Sequence, residues 1–356
     1  MKTDENLYAL ILAGGAGTRF WPKSRQCNPK QFLDIVGVNN LFVQTVSRIN
    51  KKIAVKNIFI VANKDFKSQV KKYISKFKIP MANVLLEPSA KNTAASICFG
   101  VAHINSINKN AVVGVFPSDH LISKEKKFIS VLSKAYLLAK DNHLVTFGIT
   151  PSRPETGYGY LKVKKQKIKG KDILKVKEFT EKPSVKKAKA FIKSKNYLWN
   201  GGIFVWKASV ILDEFKTYLP TTLKTIGLNP TNVSVSKSWK KLKKVSIDYG
   251  ILEKAKNIVA VNTGDIGWSD LGSWEALADI SSKDKNGNIF NSNVVSINCK
   301  NTYVSVSDKK LVATIGIEDL VIIDTKDALL VCPKNKSQEV KDMVSALNKG
   351  GKKSYL

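Results

Sequence analysis

Short apolar runs alternate with helix-period patterns over the first two-thirds of the chain. YALILA from Tyr8, NIFIVA from Asn57, AVVGVFP from Ala111 and HLVTFGI from His143 read as buried strands, and Phe66 to Phe77 and Phe128 to Lys140 as helices between them. This alternation predicts an α/β fold: a largely parallel sheet with helices on both faces. Ligands of such sheets bind beyond the carboxyl ends of the strands, so the loops that follow these runs are where chemistry is expected.

The pattern changes near SSKDKNGNIF. After Asn286-Gly287 come short strand-like runs at close spacing, NVVSI, TYVSV, LVATIGI, LVIID and ALLVC, separated by Asp, Asn, Lys and Gly. They predict a compact C-terminal β module. Val340, Met343, Val344 and Leu347 share one helical face, which predicts a terminal helix packed back on the protein, and the tail Asn348 to Leu356 reads as frayed. The expected domains are therefore 1–283 and 284–356. The β module also offers a contact for a homodimer.

Composition narrows the class. With 356 residues, 43% hydrophobic and 9% aromatic, the chain is long enough for one large core and a smaller one. No apolar run approaches the ~18 residues of a membrane span, and Asp4 and Glu5 precede the first apolar run where a secretory leader carries basic residues. A cytoplasmic protein is expected, with no membrane partner. Cys27, Cys98, Cys299 and Cys332 form no C-x-x-C pair, so free buried thiols are expected rather than zinc or redox chemistry. The formal charge of +31 raises nucleic acid as a partner. The lysines, however, are spread along the chain, are densest between Leu161 and Lys195 in solvent-facing strand patterns, and come without a helix-turn-helix, zinc finger or RNP-type strand. No specific nucleic acid is expected.

The first strand runs into Gly14-Gly15-Ala16-Gly17-Thr18-Arg19. Glycines let a backbone turn sharply and bring its N–H groups against phosphate oxygens. The spelling excludes a Walker loop, which needs Gly-Lys-Ser/Thr, and the dinucleotide pattern, which needs a third glycine where Phe20 stands. Downstream, Arg19 could reach the β and γ phosphates of a nucleotide, and Lys30, after Pro29, the α phosphate. Arg25 either assists or faces solvent.

The whole opening block, LILAGGAGTRFWPKSRQCNPKQFL, resembles the signature of the sugar-1-phosphate nucleotidyltransferases, in particular the bacterial mannose-1-phosphate guanylyltransferases. LLEPSAKNTAASI, FPSDHLI, RPETGYGYLK, EFTEKP, WNGGIFVWKAS and GDIGWSDLGSWEAL follow in family order, and LVATIGIEDLVIIDTKDALLV resembles it more weakly. The resemblance implies a Rossmann-like nucleotidyltransferase sheet with a C-terminal module of left-handed β-helix type. It also implies GTP and mannose 1-phosphate as substrates, Mg²⁺ as cofactor, GDP-mannose and pyrophosphate as products, and a place in polysaccharide biosynthesis. Leu12, Ala13, Gly14, Gly15, Gly17, Thr18 and Ser118 would then line the nucleotide. Some relatives continue into a phosphomannose isomerase domain that this sequence does not contain, so no isomerase activity is expected.

Each block has its own physical reading. Asp119 follows a buried strand, where its carboxylate could hold Mg²⁺ against triphosphate oxygens or simply cap a turn, and Asp270 is the second candidate. The resemblance implies that both are metal ligands. His120, beside the first, reads as a structural hydrogen-bonding group, and Trp268 and Trp274 as packing residues. A guanine edge presents donors beside an acceptor, which Glu87 with Asn92 or Thr93 could match, although Asn92 and Thr93 could equally just open the helix Ala94 to Ile104. Sugar hydroxyls suit Glu181 and Asn200, Lys182 suits the sugar phosphate, and Gly157 and Gly159 permit close backbone approach. Glu181 and Lys182 could instead be a surface ion pair, and Asp248 either a sugar contact or a helix start. Phe20 and Ser118 depart from the common leucine and alanine without removing a polar role, and KNTAAS carries alanine where proline is common. Two other functions fit less of the sequence: transfer to another sugar 1-phosphate such as a manno-heptose, and a non-catalytic nucleic-acid-binding protein.

Overall fold

The structure is a computed structural model that describes residues 4–15, 17–168, 171–291, 293–306 and 310–356. Ala16, within the glycine turn, lies outside the described residues. Two compact units emerge: Met1–Gly14 with Phe42–Ser118 and Ile122–Trp268, and Gly15–Leu41 with Asp119–Leu121 and Ser269–Leu356.

The strands of the first part of the chain are β1 (Leu7–Ala13), β2 (Ile58–Asn63), β3 (Val84–Glu87), β4 (Val112–Pro117), β5 (Leu121–Ile122), β6 (Leu144–Ile149), β7 (Tyr160–Ile168), β8 (Lys171–Thr180), β9 (Tyr197–Lys207), β10 (Ile258–Asn262) and β11 (Trp268–Ser269). Nine of them form the first unit's sheet, in the order β3-β2-β1-β4-β9-β6-β10-β8-β7. β1, β2 and β4 read as near-continuous apolar runs because side chains on both faces are buried. Val113 and Val115 of β4 share a core with the helix Thr93–Ile107. Phe116, one step along and so on the other face, packs at 6.1 Å on Phe128 of the helix Glu125–Lys140. Helices thus cover both faces, as the pattern predicts.

The sheet is mixed rather than largely parallel. β3-β2-β1-β4 and the β6–β10 pair are parallel, but β9 runs antiparallel between β4 and β6, and β8 antiparallel to β10. The lysine-rich stretch is the hairpin β7–β8 followed by a helix, Val185–Ser194, opened by Ser184, whose side chain accepts from the Lys187 N–H.

The second unit holds β12 (Ile289–Phe290), β13 (Val294–Ile297), β14 (Tyr303–Val306), β15 (Val312–Ile315), β16 (Leu320–Asp324) and β17 (Leu329–Pro333). Val294 pairs in parallel with Val312, Lys300 with Glu318 and Tyr303 with Val321, the same 18-residue step on successive faces of a β-helix. Tyr303, Val321 and Ile323 of these strands share one apolar cluster with Phe20, Trp274 and Val340. The terminal helix is Val340–Lys349. Val344 and Leu347 pack inward as predicted, but Met343 is exposed. The tail is not frayed: Trp21 Nε1 donates to the Tyr355 carbonyl at 2.8 Å, and Arg25 donates to the same oxygen. No disulfide joins the four cysteines; Cys98 and Cys299 are buried, Cys332 half-buried and Cys27 exposed, so the expectation of buried thiols fails at Cys27.

Candidate active site

Gly17 heads the turn that follows β1. Its φ of 61° lies in the left-handed region, and a Cβ built there would fall 2.3 Å from the Lys30 Cβ. Both constraints demand glycine. The turn is closed by the Phe20 N–H donating to the Gly17 carbonyl at 3.0 Å and by the Ser24 hydroxyl donating to it at 2.8 Å. Phe20 is buried against Trp274, ring centroids 4.7 Å apart, which gives the larger side chain at this position a packing role.

Pro29 is extended ahead of the short turn Lys30–Phe32, which places the Lys30 side chain beneath Gly17. Its ammonium donates to the carbonyls of Asp270 at 2.8 Å and Leu271 at 3.1 Å, and pairs with Asp119 Oδ2 at 2.7 Å. Leu271 holds φ 45°, a conformation that costs a non-glycine residue about 1–2 kcal/mol. Thr18, Arg19, Lys30, Asp119 and Asp270 line one cavity of about 290 Å³ within the second unit. Arg19 Nε is buried there with no hydrogen-bond partner among the described residues. Arg25 faces elsewhere: it pairs with Asp327 at 2.7 Å and lies over the Trp21 ring, bracing the β-helix.

Burial alone raises the Asp119 carboxyl, but Lys30, His120 and hydrogen bonds outweigh it and hold the group below the usual carboxylate range. Among the described residues no group of three or more His, Cys, Asp or Glu side chains could hold a metal. Two carboxylates suffice for Mg²⁺ when substrate phosphates and water complete its octahedron. An ionised Asp119 sharing a cavity with Asp270 fits that requirement.

In the first unit, β3, β1 and β4 run in the same direction and end level, bringing Glu87, Gly14 and Ser118 to one edge of the sheet. A Cβ on Gly14 would meet Glu87 Oε2 at 2.9 Å, so the glycine lets the carboxylate approach the backbone, whereas Gly15 has open space around it. Burial pushes the Glu87 carboxyl up to about 7, while a hydrogen bond from the Ser96 hydroxyl pulls it back. The Ser118 N–H donates to the Leu12 carbonyl at 3.1 Å, and Ala13 is buried. Asn92, at φ 67°, caps the helix Thr93–Ile107, and the Thr93 hydroxyl accepts from the Ile247 N–H at 2.9 Å. Asn92 therefore caps the helix, while the Thr93 hydroxyl ties the helix start to the segment that carries Ile247.

A second group in the first unit gathers around Asn200. Thr146 Oγ1 donates to Asn200 Oδ1 at 2.9 Å, and Asn200 Nδ2 donates to Asp248 Oδ1 at 3.1 Å. Asp248 also opens the helical turn Asp248–Leu252, as the helix-start reading expects. Burial, then the charge of Glu181, push Asp248 up to about 7. Burial likewise raises Glu181, partly offset by Lys182, whose ammonium lies 3.3 Å away. Gly159 is the glycine this cluster requires: a Cβ there would meet Glu181 Oε2 at 2.6 Å and Asn200 Cβ at 3.3 Å. Gly157 lies beside Glu155, to which its N–H donates at 3.0 Å. Tyr158 stands edge-on to Trp199 and Trp268, at 5.1 and 5.3 Å.

Ser96, Thr146 and Lys341, which also lines the cavity beside Arg19 and Lys30, escape a reading by motif. The first two are single hydroxyls inside an apolar helix and strand, and the third is one lysine on an amphipathic helix. Only the neighbour each one touches marks it out.

The nucleotidyl transferase family matches residues 8–287, and the MannoseP isomerase/GMP-like beta-helix domain matches residues 292–347. Mannose-1-phosphate guanylyltransferase of Escherichia coli is 36% identical over 362 residues, covering 98% of this chain and 77% of that protein. Xanthan biosynthesis protein XanB of Xanthomonas campestris pv. campestris (strain B100) is 35% identical over 351 residues, covering 96% and 73%. A solved structure described as mannose-1-phosphate geranyltransferase from Thermus thermophilus superposes with a TM-score of 0.84 at 29% identity, covering 96% of this chain and 99% of that one. With a carboxylate and cation-lined cavity after the first strand, and with matches over nearly its whole length, this chain belongs to the nucleotidyl transferase family, among the mannose-1-phosphate guanylyltransferases.

Proposed function

We propose that the protein transfers GMP from GTP to mannose 1-phosphate, releasing pyrophosphate and forming GDP-mannose for polysaccharide biosynthesis. The observation that carries this reading is the Lys30 ammonium, held against Asp119 and the Asp270 carbonyl in a cavity that Arg19 also enters. An oxygen of the sugar phosphate bonds to the α phosphorus. The bond from that phosphorus to the bridging oxygen breaks, and its electron pair leaves with pyrophosphate. The attacking phosphate is already anionic near neutral pH, so no side chain need act as base. Catalysis is positioning and charge stabilisation.

Arg19, with a buried Nε that lacks a partner among the described residues, neutralises the β and γ phosphates, and Lys30 the α phosphate. To do so, Lys30 exchanges Asp119 for phosphate oxygens when the nucleotide enters. Asp119 and Asp270 are the residues that would hold Mg²⁺, which when bound supplies further neutralisation of the triphosphate. Gly15, Gly17 and Thr18 present backbone to the phosphates, and Leu12, Ala13, Gly14 and Ser118 are the further residues assigned to the nucleotide. Glu87 reads the guanine donors, with Asn92 and Thr93 fixing the start of the helix behind it. Asn200, Glu181 and Asp248 read sugar hydroxyls, Gly157 and Gly159 admit the ring, and Lys182 meets the sugar phosphate.

The catalytic domain on this reading is 1–283 and the β-helix module 284–356. The outward side of β13 and β15 exposes Val295, Ile297 and Ile315, which supports a homodimer through this module. A cytoplasmic location belongs to the same reading, and no helix of the described residues is long and apolar enough to cross a membrane. The test is product formation. GTP and mannose 1-phosphate with Mg²⁺ should give GDP-mannose and one equivalent of pyrophosphate, with slower turnover for ATP or a manno-heptose 1-phosphate. Faster turnover with another pair would reassign the substrate.

A further inference from the structure

The helix Val340–Lys349 packs on the turn Thr18–Phe20, and Val340 shares an apolar cluster with Phe20. This docking sends Lys341 into the wall of the cavity that Arg19, Lys30, Asp119 and Asp270 also line. The Lys341 ammonium has no hydrogen-bond or ion-pair partner among the described residues. Lys341 is exposed and stands in the first turn of its helix, at the positive end of the dipole, where acidic residues are preferred. A lysine against local preference, unpaired and facing a cavity with a buried, unpartnered Arg19 Nε, is placed for an anion.

We propose that Lys341 is a phosphate-binding residue that the β-helix module contributes to the nucleotide site, contacting the pyrophosphate end of GTP and the pyrophosphate product. The proposal rests on the transferase reading for the identity of the nucleotide. It makes the terminal helix part of the active site rather than a cover on the hydrophobic core. Because Lys30 is committed to the α phosphate, Lys341 joins Arg19 at the end that departs, so its contribution is to binding and to product retention more than to the chemical step.

Full-length Lys341→Ala, Lys341→Arg and, as a control for net charge alone, Lys349→Ala separate these roles. Titration with inorganic pyrophosphate plus Mg²⁺, followed calorimetrically, should show about tenfold weaker binding for Lys341→Ala, with Lys341→Arg and Lys349→Ala near wild type. In steady state, Lys341→Ala should raise KM for GTP about tenfold, leaving kcat within about twofold and KM for mannose 1-phosphate unchanged. Pyrophosphate affinity unchanged in Lys341→Ala, or lowered equally in Lys349→Ala, overturns the proposal. The calorimetric comparison decides Lys341 even if GTP and mannose 1-phosphate give no product, an outcome that would instead overturn the transferase reading.

Discussion

The Lys30 ammonium lies 2.7 Å from the Asp119 carboxylate, nearly buried, with the carbonyls of Asp270 and Leu271 completing its coordination. An ammonium so placed organises the cavity, because it ties the loop after β4 to the segment that carries the second aspartate. It shares that cavity with Arg19, whose buried Nε has no hydrogen-bond partner among the described residues. Surface ion pairs contribute little, but a partly desolvated one exchanged for substrate, as proposed for this pair, would have catalytic consequences.

Lys30→Ala should lower kcat/KM for GDP-mannose synthesis by about 3–4 kcal/mol of transition-state stabilisation, two to three orders of magnitude, by analogy with loss of an oxyanion donor. Lys30→Arg should not rescue it, since a planar fork cannot satisfy two carbonyls and a carboxylate arranged around a point charge. Steady-state kinetics with circular dichroism as a folding control reads both.

Gly17 and Gly15 should respond oppositely to alanine. Gly17→Ala meets both a left-handed φ and the Lys30 Cβ, and should cost at least ~1–2 kcal/mol of stability together with most activity. Gly15→Ala meets nothing within 4 Å and should leave the melting temperature unchanged. Thermal unfolding of the two variants side by side makes the comparison, and equal losses would contradict the geometry.

Glu87 gives a pH signature. Its carboxyl is raised from 4.5 to about 7 by burial, so the stability linked to its protonation is complete below about pH 4.5 and is lost as pH rises through about 7. Glu87→Gln should therefore gain stability relative to wild type between about pH 5 and pH 8, by up to about 3 kcal/mol. Activity runs the other way: guanine donors need the carboxylate, so KM for GTP in the wild type should fall as pH rises through about 7. Ser96→Ala removes the hydroxyl that lowers this pKa and should move that midpoint upward. Denaturant unfolding and KM measured across pH test both signs.

Asp248→Asn should raise KM for mannose 1-phosphate about tenfold while leaving KM for GTP unchanged, if the cluster in which Asp248 is tied to Asn200 serves the sugar as proposed. Thr146→Val, which removes the hydroxyl that orients Asn200 from the other side, should act in the same direction more weakly. Parallel changes in both KM values would mean the cluster serves the fold rather than the sugar.

Which parts of the molecule are legible in the sequence follows from the kind of signal each leaves. Asp119 and Asp270 stand 151 positions apart, yet each sits in a block whose residue order is distinctive, and the structure sets both against one cavity. Strand direction leaves no such mark: Tyr197–Lys207 carries the apolar content of any central strand, and only its pairing with β4 and β6 reveals that it runs backwards. The tail reads as frayed because its residues are polar, whereas its anchorage is a backbone carbonyl that no side chain advertises. Met343 fits the helical stripe but the β-helix surface does not extend to it, so periodicity overstates the buried face by one residue.

Asp119 and Asp270 are proposed to act together on one metal-bound nucleotide. The most direct measurement is GDP-mannose synthesis by Asp119→Asn and Asp270→Asn across a Mg²⁺ titration, with folding verified. The account predicts that each variant loses at least about a hundredfold in kcat/KM and needs more Mg²⁺ for half-maximal rate. Synthesis at the wild-type rate and Mg²⁺ requirement by either variant would contradict it.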